Sequence, residues 1–183
     1  MGFLEIVSAL AMLTQDQEKW VNHLSNDSKI KIVPFDPTAQ EKFEKIKIAI
    51  HSKLGESVTV EHHGATSLGI SGQDEIDIYV PVLAHHFDEI LERLKGLFGE
   101  PRSNYALERA RFVTSEAGKH IDVFVVNQEH HSWLDALKFE NYLRVHPKAL
   151  EEYRKLKESG HGLSTREYYR RKIEFINSIL GKI

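Results

Sequence analysis

Cysteine is absent from the 183-residue chain, which excludes disulfides and thiolate metal ligands and agrees with a reducing compartment. The expected location is therefore cytoplasmic. No uninterrupted apolar stretch is long enough to cross a bilayer, so no membrane partner is expected. An excess of positive charge is missing too: 24 Lys and Arg stand against 27 Asp and Glu, a net charge of -3 with the histidines neutral. A duplex binder ordinarily carries a basic footprint, so duplex nucleic acid is not an expected partner and only a local basic patch stays open. The start, MGFLEIVSALAMLTQDQEKW, holds an apolar run without a basic lead, and Glu5 interrupts it. It reads as an N-terminal helix rather than a secretory signal. There is no internal repeat, and no HExxH or His/Cys spacing of the kind that holds zinc.

An apolar fraction of 41% supplies a core of ordinary size. The expected organisation is a single domain over residues 1–183, with a helical N-terminal extension over 1–29 and a helical C-terminal part over 132–183. Helical spacing predicts a stripe of Leu4, Val7, Leu10 and Leu13 in a first helical stretch reaching Leu24. A second helix is expected from Thr38, with Glu41 at capping-box distance, to Leu54. Strands are expected at Val58–Glu61 and Ile76–Val82, then a helix from His85 to Phe98 and a loop from Gly99 to Asn104. A hairpin follows, Arg109–Thr114 and His120–Val126, turning at SEAGK. Three helices complete the chain: Ser132–Val145, Pro147–Glu158, and one capped by Ser164 or Thr165 that ends near Leu180. The fold class is α+β (α/β): a small mixed sheet flanked by helices. VTVEH, EIDIYV and HIDVFVV should share that sheet, with helices on one face.

Chemistry concentrates between Val58 and Val82. Side chains alternate along a strand, so Glu75 and Asp77 point to one face while Ile76 and Ile78 point to the other. Asp122 opens a very apolar strand, where a charge is costly unless the strand end meets a site. Magnesium takes hard oxygen ligands, and two or three carboxylates with substrate phosphates complete its shell. The plain alternative is that these acids sit on a solvated strand face. Just upstream, Gly64, Ala65, Thr66 and Ser67 form a small-residue turn that can place N–H groups and hydroxyls around a phosphate, or simply cap a loop. Arg109 and Arg111, two apart on a strand beside Asp122, match phosphate oxygens bidentately, and Lys119 at the turn adds charge. Lys172 is the inward candidate of the run Arg170, Arg171, Lys172. His63, next to Gly64, is placed to contact a ligand. The eleven histidines include adjacent pairs, and neighbours on a strand point apart.

These motifs resemble the GrpB family (the UPF0157 group) within the DNA polymerase beta-like nucleotidyltransferase superfamily. Gly64–Ala65, a spacer, then Glu75-Ile76-Asp77 and a later Asp122 resemble the superfamily's glycine turn and acidic triad. IVPFDP at Ile32–Pro37, the run His62 to Ser67, FENYLRVHP at Phe139–Pro147, and Tyr168, Lys172 and Phe175-Ile176 resemble the GrpB pattern over about Ile32 to Leu180. Ala65 departs from it, since a serine is usual there, and Asp74-Glu75 replaces a Lys-Pro pair.

The resemblance implies a magnesium-dependent nucleotidyltransferase. A nucleoside triphosphate would lie against His63, Gly64, Ala65, Thr66 and Ser67, with Arg109, Arg111 and Lys172 on its phosphates. Glu75, Asp77 and Asp122 would hold Mg2+, and the acceptor would be a small molecule. A non-catalytic nucleotide-binding or interaction domain of the same fold is the second expectation.

Overall fold

The computed structural model describes residues 12–183; the expected stripe at Leu4, Val7 and Leu10 lies outside the described residues. Helix α1 (Gln15–His23) opens on a capping box in which Thr14 and Gln17 satisfy each other's backbone N–H groups. Then come α2 (Ala39–Leu54), strand β1 (Glu61–His63), a single helical turn α3 (Gly64–Ser67), β2 (Glu75–Val82) and α4 (Phe87–Phe98). Strands β3 (Ser103–Tyr105), β4 (Arg109–Glu116) and β5 (Lys119–Asn127) precede helices α5 (His131–Val145), α6 (Pro147–Ser159) and α7 (Thr165–Leu180). Among the described residues no helix is long and apolar enough to cross a membrane.

The five strands form one mixed sheet in the order β1-β2-β5-β4-β3. The central pair, β2 and β5, is parallel; the other pairs are antiparallel. One face is apolar. Ile76, Ile78 and Val80 of β2, Ala110 and Phe112 of β4, and Ile121, Val123 and Val125 of β5 pack on Phe43 and Ile50 of α2 and on Phe87 and Leu94 of α4. Burying each of the branched and aromatic side chains is worth about 1.5–3 kcal/mol. A one-residue slip of β2 would expose its isoleucines and drive Glu75 and Asp77 into that core, so the apolar face sets the register of the carboxylates.

The structure departs from expectation in four places. Helices cover both faces rather than one: Trp133 and Leu137 of α5 pack on Tyr79, Phe124 and Val126 of the second face. The first strand is at Glu61–His63 rather than Val58–Glu61, because its partner is the Asp77–Tyr79 stretch of β2. Val60, buried in the main core, precedes that ladder. Thr38 makes no side-chain cap on α2; Asp36 instead accepts from the Thr38 N–H at 2.9 Å and its hydroxyl at 2.7 Å. The segment read as a loop runs into β3, an edge strand paired with β4. The β4–β5 hairpin turns at Ala117 and Gly118, both at positive φ (49° and 76°), the backbone that a tight two-residue turn demands.

Candidate functional site

Because β2 and β5 run parallel in register, Asp77 lies opposite Asp122 and Glu75 opposite His120. All four side chains share the second face, which looks toward α5, α6 and α7. Donor atoms of Glu75, His120 and Asp122 lie within 4.8 Å of one another. Asp122 is 3% exposed; it contacts His120 Nε2 at 3.0 Å and accepts from Arg111 Nη1 at 3.4 Å. Asp77 sits to one side, against Gly64: a Cβ built on that glycine would lie 2.2 Å from Asp77 Oδ2. Burial pushes the Asp77 carboxyl up to about 7, helped by the neighbouring Glu75 charge. Burial and Asp122 likewise raise Glu75. The group is thus short of compensating charge even though Lys172 and Lys157 oppose both shifts.

Those lysines reach over from the C-terminal helices. Lys172 Nζ lies 5.4 Å above the Tyr169 ring and Lys157 Nζ 5.3 Å above Tyr153. Lys157 is 5% exposed and has no ion-pair partner among the described residues. Arg111 is at Asp122, while the guanidinium of the exposed Arg109 lies over Tyr105 and Phe124. Lys119 does not join them. It is out of phase with His120 and Asp122, so it turns to the opposite face, where Asp74 holds it at 2.6 Å and Asp36 lies at 3.8 Å.

The Gly64–Ser67 turn is occupied by the chain itself. Glu140 of α5 accepts from the Gly64 N–H at 3.2 Å and from Ser67 Oγ at 2.8 Å; it also contacts His63 Nδ1 at 3.0 Å and pairs with Arg144. These donors pull Glu140 below the ordinary carboxylate range against the cost of its burial. Burial opposes charge on His63 as well, but Glu140 and Glu61 raise its pKa overall. The Thr66 hydroxyl pairs with His62 Nε2 at 2.9 Å, and Ala65 packs against the core of the C-terminal helices. Of this run, only Gly64 and His63 line the cavity between the second face and the C-terminal helices.

Glu140→Gln keeps the shape and removes the charge. Losing hydrogen bonds to an ionised buried group should cost about 1.5–3 kcal/mol. His63, whose folded pKa is raised, contributes stability below its unfolded pKa and loses it as pH rises through the folded value. The deficit of the variant should therefore be larger at pH 5.5 than at pH 8.5, read by thermal melts. A deficit that does not change with pH would show that His63 and Glu140 are not coupled.

Between the second face and the helices lies a cavity of about 430 Å3, walled by Tyr79, Trp133, Phe139 and Tyr153, with Asp77, His63 and Lys172 on its polar side. Sequence reasoning missed His120, Glu140 and Lys157. His120 was legible: it is two residues before Asp122 and so in the same strand phase. Glu140 lies inside FENYLRVHP but carries no local signal for a partner 76 residues away, and Lys157 reads as one more charge on a polar helix.

The family model described as GrpB protein matches residues 29–182. A UPF0157 protein of Vibrio cholerae serotype O1 is 24% identical over 150 residues, 81% of this chain and 79% of that protein. The crystal structure of conserved protein GrpB from Enterococcus faecalis superposes with a TM-score of 0.65 at 24% identity, covering 82% of this chain and 98% of that one. A cytoplasmic RNA terminal U-transferase reaches a TM-score of only 0.42 at 13% identity, over 79% of this chain and 47% of that one.

Proposed function

The chain belongs to the GrpB family, and from there we propose that it is a metal-dependent nucleotidyltransferase, acting on a nucleoside triphosphate and a small acceptor. The observation that carries this reading is the set of three carboxylates on one sheet face, set side by side by the β2–β5 register and faced by two lysines. The donors of Glu75, His120 and Asp122 fit a divalent cation such as Mg2+, which when bound neutralises phosphate oxygens and stabilises charge developing at phosphorus. Asp77, opposite Asp122 on the neighbouring strand, would hold the same cation as a further carboxylate ligand. Lys157 and Lys172 supply the positive charge that a triphosphate needs on the helical side. Asp122 orients the acceptor hydroxyl and takes its proton. The hydroxyl oxygen then bonds to the alpha-phosphorus as the bond to the bridging oxygen breaks and pyrophosphate leaves.

A second reading, a nucleotide-binding or interaction domain without turnover, has its own support. Glu140 already fills the Gly64 and Ser67 donors, and Ala65 offers no hydroxyl. Calorimetric titration of each nucleoside triphosphate, with Mg2+ and with chelator, separates the readings when coupled to pyrophosphate release over mixed small-molecule acceptors. Metal-dependent binding with pyrophosphate release is the expected result. Binding without release moves the assignment to the binding domain, and no binding sinks both.

A further inference from the structure

Helix α1 precedes the span that the family model matches, residues 29–182, yet it is fastened to α7 along its length. Glu18 takes both terminal nitrogens of Arg170 at 2.6 and 2.9 Å. Trp20 packs edge-on against Tyr169, with ring centroids 5.5 Å apart, and Val21 is fully buried. Arg166 donates to the carbonyls of Leu24 and Asn22 at 3.1 and 3.0 Å. These contacts bring Gln17 of α1 and Asn177 of α7 together at the wall of the aromatic cavity, which both line.

The two side-chain amides bond reciprocally: Gln17 Nε2 donates to Asn177 Oδ1 at 3.1 Å, and Asn177 Nδ2 donates to Gln17 Oε1 at 2.8 Å. Gln17 Oε1 also accepts the Thr14 N–H at 2.8 Å, and Asn177 Nδ2 also donates to the Met12 carbonyl at 3.2 Å. A primary amide has two N–H donors and a carbonyl with two lone pairs. The Gln17 carbonyl and both Asn177 hydrogens are therefore spent. Among the described residues, what remains is one N–H of Gln17 beside one lone pair of Asn177 Oδ1, a donor next to an acceptor.

We infer that this amide pair reads the edge of a planar heteroaromatic ring held in the cavity, one that carries a hydrogen-bond acceptor beside an N–H, as a nucleobase does. The inference rests on the nucleotide reading above and deepens it by placing the ring of the ligand. The stacked Tyr79 and Trp133, with centroids 5.0 Å apart, and the Phe139 and Tyr153 rings supply flat apolar walls. The volume of about 430 Å3 holds a ring and its sugar. Asp77 and Lys172, on the same cavity, connect the ring to the reacting side.

The test uses the full chain in chelator, with the four common nucleosides as probes, each beside its counterpart methylated at the edge nitrogen (3-methyluridine for uridine). The wild type should bind at least one nucleoside tenfold or more tightly than its methylated counterpart. Gln17→Glu keeps the oxygen that caps α1 and turns the free donor into an acceptor; Gln17→Leu removes the edge altogether. In each folded variant that preference should vanish. Equal affinity for both members of every pair overturns the inference, as does a wild type that binds no nucleoside. Either failure leaves the triphosphate titration with metal standing, because that measurement reads the phosphate side. Loss of metal-dependent triphosphate binding with nucleoside preference intact would instead sink the nucleotidyltransferase proposal alone.

Discussion

Asp77→Asn is expected to abolish metal-dependent nucleotide transfer and to make the metal-free protein more stable at alkaline pH. An interaction worth about 3 kcal/mol in the transition state corresponds to about a hundredfold in rate, and at least that loss is expected. The stability effect has the opposite sign and a separate cause. The Asp77 carboxyl is pushed up to about 7, first by burial and then by Glu75, whereas an unfolded aspartate titrates near 4. Between those values the native state holds a proton that the unfolded chain has released. The contribution is complete below the unfolded pKa and is lost as pH rises through 7. Above that, the native state carries a crowded charge that asparagine does not. Thermal melts in chelator should show wild type and variant close together at pH 4. At pH 8 the variant should be more stable by roughly 2 kcal/mol, about 5 °C for a chain of this size. Melting curves that stay superimposed from pH 4 to 8 would mean that Asp77 is not held in a charge-poor setting.

Gly64→Ala should be the most damaging single substitution in the Gly64–Ser67 turn. Gly64 has φ +77°, a left-handed backbone that costs a residue with a Cβ about 1–2 kcal/mol. The added Cβ would also stand 2.2 Å from Asp77 Oδ2 and 3.1 Å from its Cγ, so the carboxylate must move. Together these should cost roughly 3 kcal/mol or more, a fall in melting temperature of about 10 °C. Gly118→Ala is the control: φ is +76° there, but the new Cβ meets nothing within 4 Å, so only the backbone part should appear. If the carboxylate is the obstacle, Asp77→Ala should recover part of the Gly64→Ala loss, giving a coupling well outside additivity. Additive losses in the double variant would place the cost in the backbone alone.

Most of the fold was legible because it is written in local periodicity. The two-residue alternation of EIDIYV and HIDVFVV marks an apolar face and a chemical face. The spacing of Phe87, Ile90, Leu91 and Leu94 marks the helix that covers the apolar one. Short edge strands were the weak point: SNY at β3 has no alternation long enough to notice, and β1 begins only at the residue after the apolar VTV that suggested it. Lys119 was misjudged because proximity along the chain was weighed above strand phase, the rule that also would have found His120.

The chain order settles which residues share a strand face, where helices begin and stop, and that Glu75 and Asp77 stand together. Those depend on neighbours within a turn or a pleat. It does not settle which strands lie side by side. Only the parallel pairing of β2 with β5 sets Asp77 opposite Asp122 and brings His120 to Glu75, and only the packing of α5 puts Glu140 into the Gly64 turn. Lys157, Asn177 and Gln17 reach the second face from helices far away in sequence, because the apolar faces of those helices can be buried only against one another and the sheet. Their polar side chains are carried to the cavity by that burial, and no pattern local to them announces it.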